Sequence, residues 1–289
     1  MDSHYASVND IRLHYVRAGQ GPLLLFLHGF PEFWGAWERQ LEIFSRDYTV
    51  VAPDLRGYNL SDKPDGVKAY RPKVLIEDLR QLIAHLGFER CRLVAHDWGG
   101  ALAWNLAIAH PQLIEKLVII NAPHPIPFAR ELRDNPAQQA ASAYIHTLRS
   151  ADGEALMRKD DFAALRALFG SWTADAAVMD RYRAAWSQPG ALTAMLNYYR
   201  ASPMHPPTAS EPGVAALRLD PAQFVVQVPT QVIWGQRDAA MLPGILDGLD
   251  ACVPDLRIAP VAEGSHWVVH EYPERVEAVI REFFGSPAP

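Results

Sequence analysis

Two kinds of sequence texture in one chain predict an α/β fold: a mostly parallel central sheet flanked by helices, with an inserted all-helical cap. Three observations carry this reading. From Ile11 to Ala122, β-branched or apolar runs alternate with helical patterns such as Val74 to Leu86, as expected for parallel strands joined by crossover helices. Cys91 to Ala95 is a short apolar run followed almost at once by Asp97, and Gly99-Gly100 opens a helical pattern over Ala101 to Ala109, giving strand, sharp turn and helix. Ala129 to Ala216, by contrast, is rich in alanine and long polar residues and has no convincing strand.

Taken in order, the N-terminal MDSHYASVNDIRLHYVRAG alternates apolar and polar residues as a strand does, and it lacks a basic segment followed by an apolar one, so no signal peptide is expected. Leu23 to Leu27 and Tyr48 to Pro53 supply further apolar strands, and Leu117 to Ile120 another. After NAPHPIP, at Asn121 to Pro127, the character changes. The cap is punctuated by Asn135-Pro136, Gly153, Gly170, Pro189-Gly190 and Pro206-Pro207. Two helix starts are visible in it: Asp134 before Pro136, and Thr173 ahead of Ala176 to Ala185. The core resumes near Val225 to Thr230, adds a strand at Leu256 to Val261 and closes with a helix from Pro273 to Phe284. The expected division is therefore a first part of the core over 1–127, a helical cap over 128–219, and the rest of the core over 220–289.

Composition limits the functional classes. At 289 residues the chain can bury a large core around a closed pocket. A net charge of −6 with no basic run gives no reason to expect nucleic acid or steering of anionic substrates. Cys91 and Cys252 lie in unrelated segments without metal-ligand spacing, so neither metal nor disulfide is expected and the chain reads as cytoplasmic. No apolar run approaches the ~20 residues that span a bilayer. Oligomeric state stays open, a homodimer included.

The segment Val94 to Gly100, VAHDWGG, is the most specific signal. Ala95 and Gly99 flank Asp97 two positions away on each side, the spacing of small residues around a nucleophile on a strand-to-helix elbow. A lone Asp before a helix is more often a cap, yet an aspartate at this apex sits near the positive end of the following helix, which keeps its carboxylate ionised. It needs no base in order to attack a saturated carbon.

On these residues the chain resembles the α/β-hydrolase superfamily, and within it the branch that contains epoxide hydrolases and haloalkane dehalogenases, the former most closely. Five segments match in order: LLLFLHGFPE (Leu23 to Glu32), YTVVAPDLRGYNLSDKP (Tyr48 to Pro64), VAHDWGG, QVIWGQRD (Gln231 to Asp238) and EGSHW (Glu263 to Trp267). The resemblance implies the α/β-hydrolase fold and a nucleophile, acid, histidine order that Asp97, Asp238 and His266 obey. A rival acid position, after the sixth strand, holds Asn121, which cannot ionise. The expected mechanism is attack by Asp97 on an sp3 carbon to form an alkyl ester, followed by hydrolysis with water activated by His266. Backbone N–H groups of Phe30, in the His28-Gly29-Phe30-Pro31 loop, and of Trp98 are the candidate oxyanion donors.

The cap decides the leaving group. Epoxide hydrolases of this branch use two cap tyrosines, and the matching segments AYIHTLR and NYYR give Tyr144 and Tyr199, with Tyr198 the obvious rival for the latter. Their hydroxyls would polarise the ring oxygen. Substrate contacts are expected from His28, Pro31, Trp98, Trp172 and Trp186, and the apolar cap, Phe128 included, points to an apolar epoxide as substrate, water as co-substrate and no cofactor. Three alternatives stand beside this. A haloalkane dehalogenase would use the Trp98 indole and a second donor such as Trp172 or Trp186. A haloacetate dehalogenase would carry arginines where this chain has Trp98 and Ala101. A non-catalytic receptor on the same scaffold has no use for all of Asp97, Asp238 and His266.

Overall fold

The computed structural model describes residues 1–173 and 175–285. Eight strands form one sheet in the order β1-β2-β4-β3-β5-β6-β7-β8: β1 (Asp2–Val8), β2 (Ile11–Ala18), β3 (Leu23–Leu27), β4 (Thr49–Pro53), β5 (Cys91–His96), β6 (Ile114–Ile120), β7 (Thr230–Gly235) and β8 (Leu256–Val261). The β1–β2 and β2–β4 pairs are antiparallel and the remainder parallel. The β1–β2 hairpin turns through Asn9 and Asp10, both with positive φ (45° and 62°), which matches the twist of the two strands.

The central strands read as unbroken apolar runs because both faces of the sheet are covered. Leu23, Leu25 and Leu27 of β3 point into one core layer and Leu24 and Phe26 into the other. The covering helices of the core are α1 (Glu38–Phe44), α2 (Pro72–His85) and α3 (Asp97–Ala109). The cap contributes α4 (Pro125–Asp134), α5 (Pro136–Ala141), α6 (Tyr144–Arg149), α7 (Gly153–Arg166), α8 (Ala176–Trp186) and α9 (Ala191–Ala201). The core closes with α10 (Val268–Glu271) and α11 (Pro273–Phe284). Cys91 and Cys252 are buried free thiols, and no helix of the described residues is long and apolar enough to cross a membrane.

Helix α4 begins at Pro125, with His124 accepting from the Ile126 amide. Two local expectations are corrected. Asn135, not Asp134, caps α5, because Pro136 takes the first helical position and the residue before it must supply the acceptor; its Oδ1 accepts from Ala137 and Gln138. For α8 the cap is Asp175, which accepts from Ala177, rather than Thr173.

Candidate active site

The C-terminal ends of β3, β5, β6, β7 and β8 carry Phe30, Asp97, Asn121, Asp238 and His266 respectively, so the sheet gathers five distant segments at one edge, where ligands bind in open α/β sheets. Asp97 has φ 49°, a left-handed conformation that costs an L-residue about 1–2 kcal/mol. Close packing supports it. A Cβ on Gly99 would lie 2.5 Å from the Leu27 and His28 carbonyl oxygens, and one on Gly29 would lie 2.3 Å from Asp97 Cβ. Only glycines let the loop after β3 approach the elbow so nearly. The Asp97 side chain does not cap its own helix: Oδ1 accepts from the Phe30 amide at 2.6 Å.

The other oxygen, Oδ2, faces His266 Nε2 at 3.6 Å, longer than a hydrogen bond. His266 Nδ1 donates to Asp238 Oδ2 at 2.7 Å. Asp238 is buried and fully occupied, with Oδ1 accepting from the amides of Ala240 (2.8 Å) and Met241 (2.9 Å) and Oδ2 also from Asn121 Nδ2 (2.8 Å). Burial opposes charge on all three groups, and their mutual pairing wins. Burial tends to raise Asp97 and Asp238, but His266 brings both below the usual carboxylate value. Burial tends to lower His266, but Asp238 and then Asp97 raise it well above 6.5.

Asp97 forms part of the wall of a cavity of about 230 Å³ that runs along α3 past Trp98, Ala101 and Asn105. Asn105 lies eight positions after Asp97 along α3, a run of about 12 Å at ~1.5 Å per residue. Tyr144 and Tyr199 both line it, their rings edge to face with centroids 6.3 Å apart. Neither hydroxyl donates to an acceptor among the described residues. Burial, with the negative charge of Asp97 adding to it, pushes both hydroxyls up, so they stay protonated. Tyr198 is turned elsewhere: its hydroxyl donates to the Arg56 carbonyl at 2.7 Å. The rest of the wall is largely apolar, with Phe128, Ile145, Met204, Leu217, Leu219 and Phe224 prominent. Among the described residues no group of three or more His, Cys, Asp or Glu is placed to hold a metal ion.

Four expected substrate contacts lie outside this cavity. His28 is buried behind the loop, donating from Nδ1 to the Gly29 carbonyl and accepting at Nε2 from Leu55, an arrangement that fixes the neutral ring, which burial favours. The carbonyl of Pro31 accepts from Trp186 Nε1 at 2.6 Å, so Trp186, 1 % exposed, braces the loop outside the cavity. Trp172 stacks on His270 at 3.9 Å, on the far side of the cap–core seam. Trp98 does line the cavity through its ring, 5.1 Å from that of Tyr199, while Phe30 supplies the only amide that reaches the Asp97 carboxylate among the described residues.

Three residues were given no role by the sequence. Asn121, with φ 40°, accepts from Gly235 N at 2.8 Å and donates to Asp238, tying the ends of β6 and β7 to the acid. Glu32, 2 % exposed, accepts from the Tyr182 hydroxyl (2.9 Å) and from His270 (2.8 Å) and faces His96 at 3.4 Å. Its burial favours the neutral acid, yet His270 and His96 hold it well below the carboxylate range. His96 Nε2 lies 2.9 Å from the His266 carbonyl, a bond it makes as donor. The available signals were Asn121 directly after an apolar strand and a lone acid, Glu32, in an apolar loop.

Residues 22–273 match the α/β-hydrolase fold family. A strand-to-helix elbow, an acid after β7 and a histidine after β8 are that fold's arrangement, and the chain belongs to the family; it is a hydrolase. Its relatives place it in the epoxide hydrolase branch. It is 36 % identical to epoxide hydrolase 4 of Mus musculus, over 96 % of this chain and 78 % of that one, and 38 % identical to the AB hydrolase superfamily protein YfhM of Bacillus subtilis, over 98 % and 97 %. Among solved structures, an inhibitor complex of a Bacillus megaterium epoxide hydrolase superposes with a TM-score of 0.89 at 39 % identity, covering 97 % of this chain and 99 % of that one.

Proposed function

We propose that the protein hydrolyses apolar epoxides to vicinal diols through an ester on Asp97. The observation that carries this is the pair of protonated hydroxyls, Tyr144 and Tyr199, lining the same apolar cavity as the Asp97 carboxylate with no acceptor of their own among the described residues. Asp97 Oδ2 forms a bond to an epoxide carbon as the ring C–O bond breaks; the electron pair goes to the ring oxygen, which takes a proton from a tyrosine. Water then attacks the ester carbonyl carbon and gives its proton to His266, oriented by Asp238. The resulting oxyanion on Oδ1 stays on the Phe30 amide that already holds it. Collapse expels the diol oxygen, which takes the proton from His266. The second proton of the water is left on the Asp97 acid, and its loss from there returns Asp97 to the carboxylate and reprotonates the tyrosinate, closing the cycle.

A halide leaving group is less well served. Trp98 lines the cavity, but Trp186 has given its N–H to Pro31 and Trp172 lies outside. Nor does a guanidinium stand among the lining residues to hold a small carboxylate. The names of the relatives agree with the epoxide reading. Intact-mass measurement of His266→Gln after exposure to an equimolar aryl epoxide and bromoalkane tests it. The expected gain is the whole epoxide, mapped to Asp97; a gain equal to the bromoalkane less hydrogen bromide would make the protein a dehalogenase.

A further inference from the structure

Two cap residues end on consecutive residues of the loop that carries the Phe30 amide. Tyr182 and Trp186 stand at i and i+4 on α8 and so share one helix face. The Tyr182 hydroxyl donates to Glu32 Oε1 at 2.9 Å and Trp186 Nε1 to the Pro31 carbonyl at 2.6 Å. Both side chains are buried, and both rings pack against Phe169, with Tyr182 edge-on to Phe33 as well. The loop's remaining polar groups are tied within the core: Glu32 N donates to the Gly29 carbonyl at 2.9 Å, and His270 donates to Glu32 Oε1. Pro31 has no N–H to fix its own peptide. The Trp186 indole therefore holds the Pro31–Glu32 peptide from the cap side, and the N–H of that peptide holds the Gly29 carbonyl, which shares its peptide plane with the Phe30 N–H.

We infer that Tyr182 and Trp186 are positioning residues for the oxyanion donor, so that docking of α8 sets the aim of the Phe30 N–H at Asp97 Oδ1. This rests on the proposed ester mechanism, and it gives the two half-reactions opposite sensitivities. During ester formation Phe30 stabilises a carboxylate charge that is being consumed, so a looser donor leaves that step unchanged or slightly faster. In ester hydrolysis charge returns to Oδ1, and a misaimed donor slows the step. A general loss of folded protein would slow both together.

The test is single-turnover kinetics of Trp186→Phe and Tyr182→Phe with an aryl epoxide, following ester formation and ester hydrolysis separately, with thermal midpoints recorded. A net hydrogen bond of ~1 kcal/mol corresponds to about fivefold in rate. Each variant is expected to slow hydrolysis by about that factor, with ester formation within twofold of the parent. Arg181→Gln serves as the control on the same helix, since Arg181 pairs with Glu38 and stacks over Phe33 and Trp34 without touching residues 30–32. It is expected to leave the ratio of the two rates unchanged. Equal slowing of both steps, an unchanged ratio in both Phe variants, or the same shift in Arg181→Gln would overturn the assignment. Absence of any ester in the His266→Gln variant would instead refute the reaction itself, and this role with it.

Discussion

Replacing Asn121 with glycine should strip Asp238 of a donor without straining the backbone, because glycine accepts the φ of 40° found there. The variant removes the 2.8 Å bond from Nδ2 to Asp238 Oδ2 and the 2.8 Å acceptor of Gly235 N. A hydrogen bond to a charged group contributes about 1.5–3 kcal/mol, and an orphaned buried amide costs about 1–3 kcal/mol. Stability should therefore fall by roughly 2.5–6 kcal/mol in urea unfolding. Asp238 keeps the Ala240 and Met241 amides but becomes more basic, and His266 holds its proton more tightly. Since ~1.36 kcal/mol is one pK unit, the pH at which ester hydrolysis reaches half its maximum should move up by about one unit. Single-turnover hydrolysis rates measured as a function of pH read this directly. A hydrolysis limb that stays in place, with stability unchanged, would refute the idea that Asn121 supports the acid.

Other expected outcomes follow from the same geometry. In the proposed reaction the two half-reactions should differ in pH dependence: ester formation would need only ionised Asp97 and should persist below neutrality, whereas hydrolysis would need neutral His266 and should rise with pH. Once the ester has removed the Asp97 charge, one cause of the raised His266 value is gone, so the hydrolysis limb should lie below the His266 pKa of the free enzyme measured by NMR. Tyr199→Phe should slow ester formation at least tenfold, about the effect of a lost proton donor, while Tyr198→Phe should cost mainly stability, measured by stopped-flow and thermal melts. Gly29→Ala should displace the nucleophile, because the new methyl would meet Asp97 within 2.3 Å, and ester formation by mass spectrometry should be lost while the circular dichroism stays folded. His124, which burial lowers to about 4, should destabilise the fold as pH drops from 6.5 toward 4, where only the unfolded chain binds the proton. His124→Asn keeps a cap acceptor for Ile126 and should remove roughly 3 kcal/mol of that acid dependence, read from urea midpoints.

Residues whose positions depend on local order were legible in the sequence. Asp97 stands out because small residues must flank the apex of a tight elbow, and the helix that follows is visible in the apolar pattern. The Tyr199 assignment depended on an N-x-Y-R match, and adjacent residues on a helix point about 100° apart, which is why Tyr198 goes to the Arg56 carbonyl and Tyr199 to the cavity. Aromatic content alone did not distinguish a cavity face from a docking face. Trp186 faces the loop after β3 and Trp172 faces His270, although both are cap tryptophans. Asn121 and Glu32 owe their roles to partners 117 and 150 residues away, Asp238 and Tyr182, and no local pattern announces such pairs.

The cavity wall also bears on what happens after chemistry. Its polar side chains are few, and Asn105 already spends its amide donor on the Ala101 carbonyl within α3. In the proposed reaction an apolar epoxide enters a compartment that suits it and becomes a diol with two hydroxyls, each of which costs about 1–3 kcal/mol to bury without a partner. The walls that recruit the reactant therefore reject the product. Turnover should then be limited by ester hydrolysis rather than by diol release, and accumulating diol should inhibit weakly even where the parent epoxide binds well.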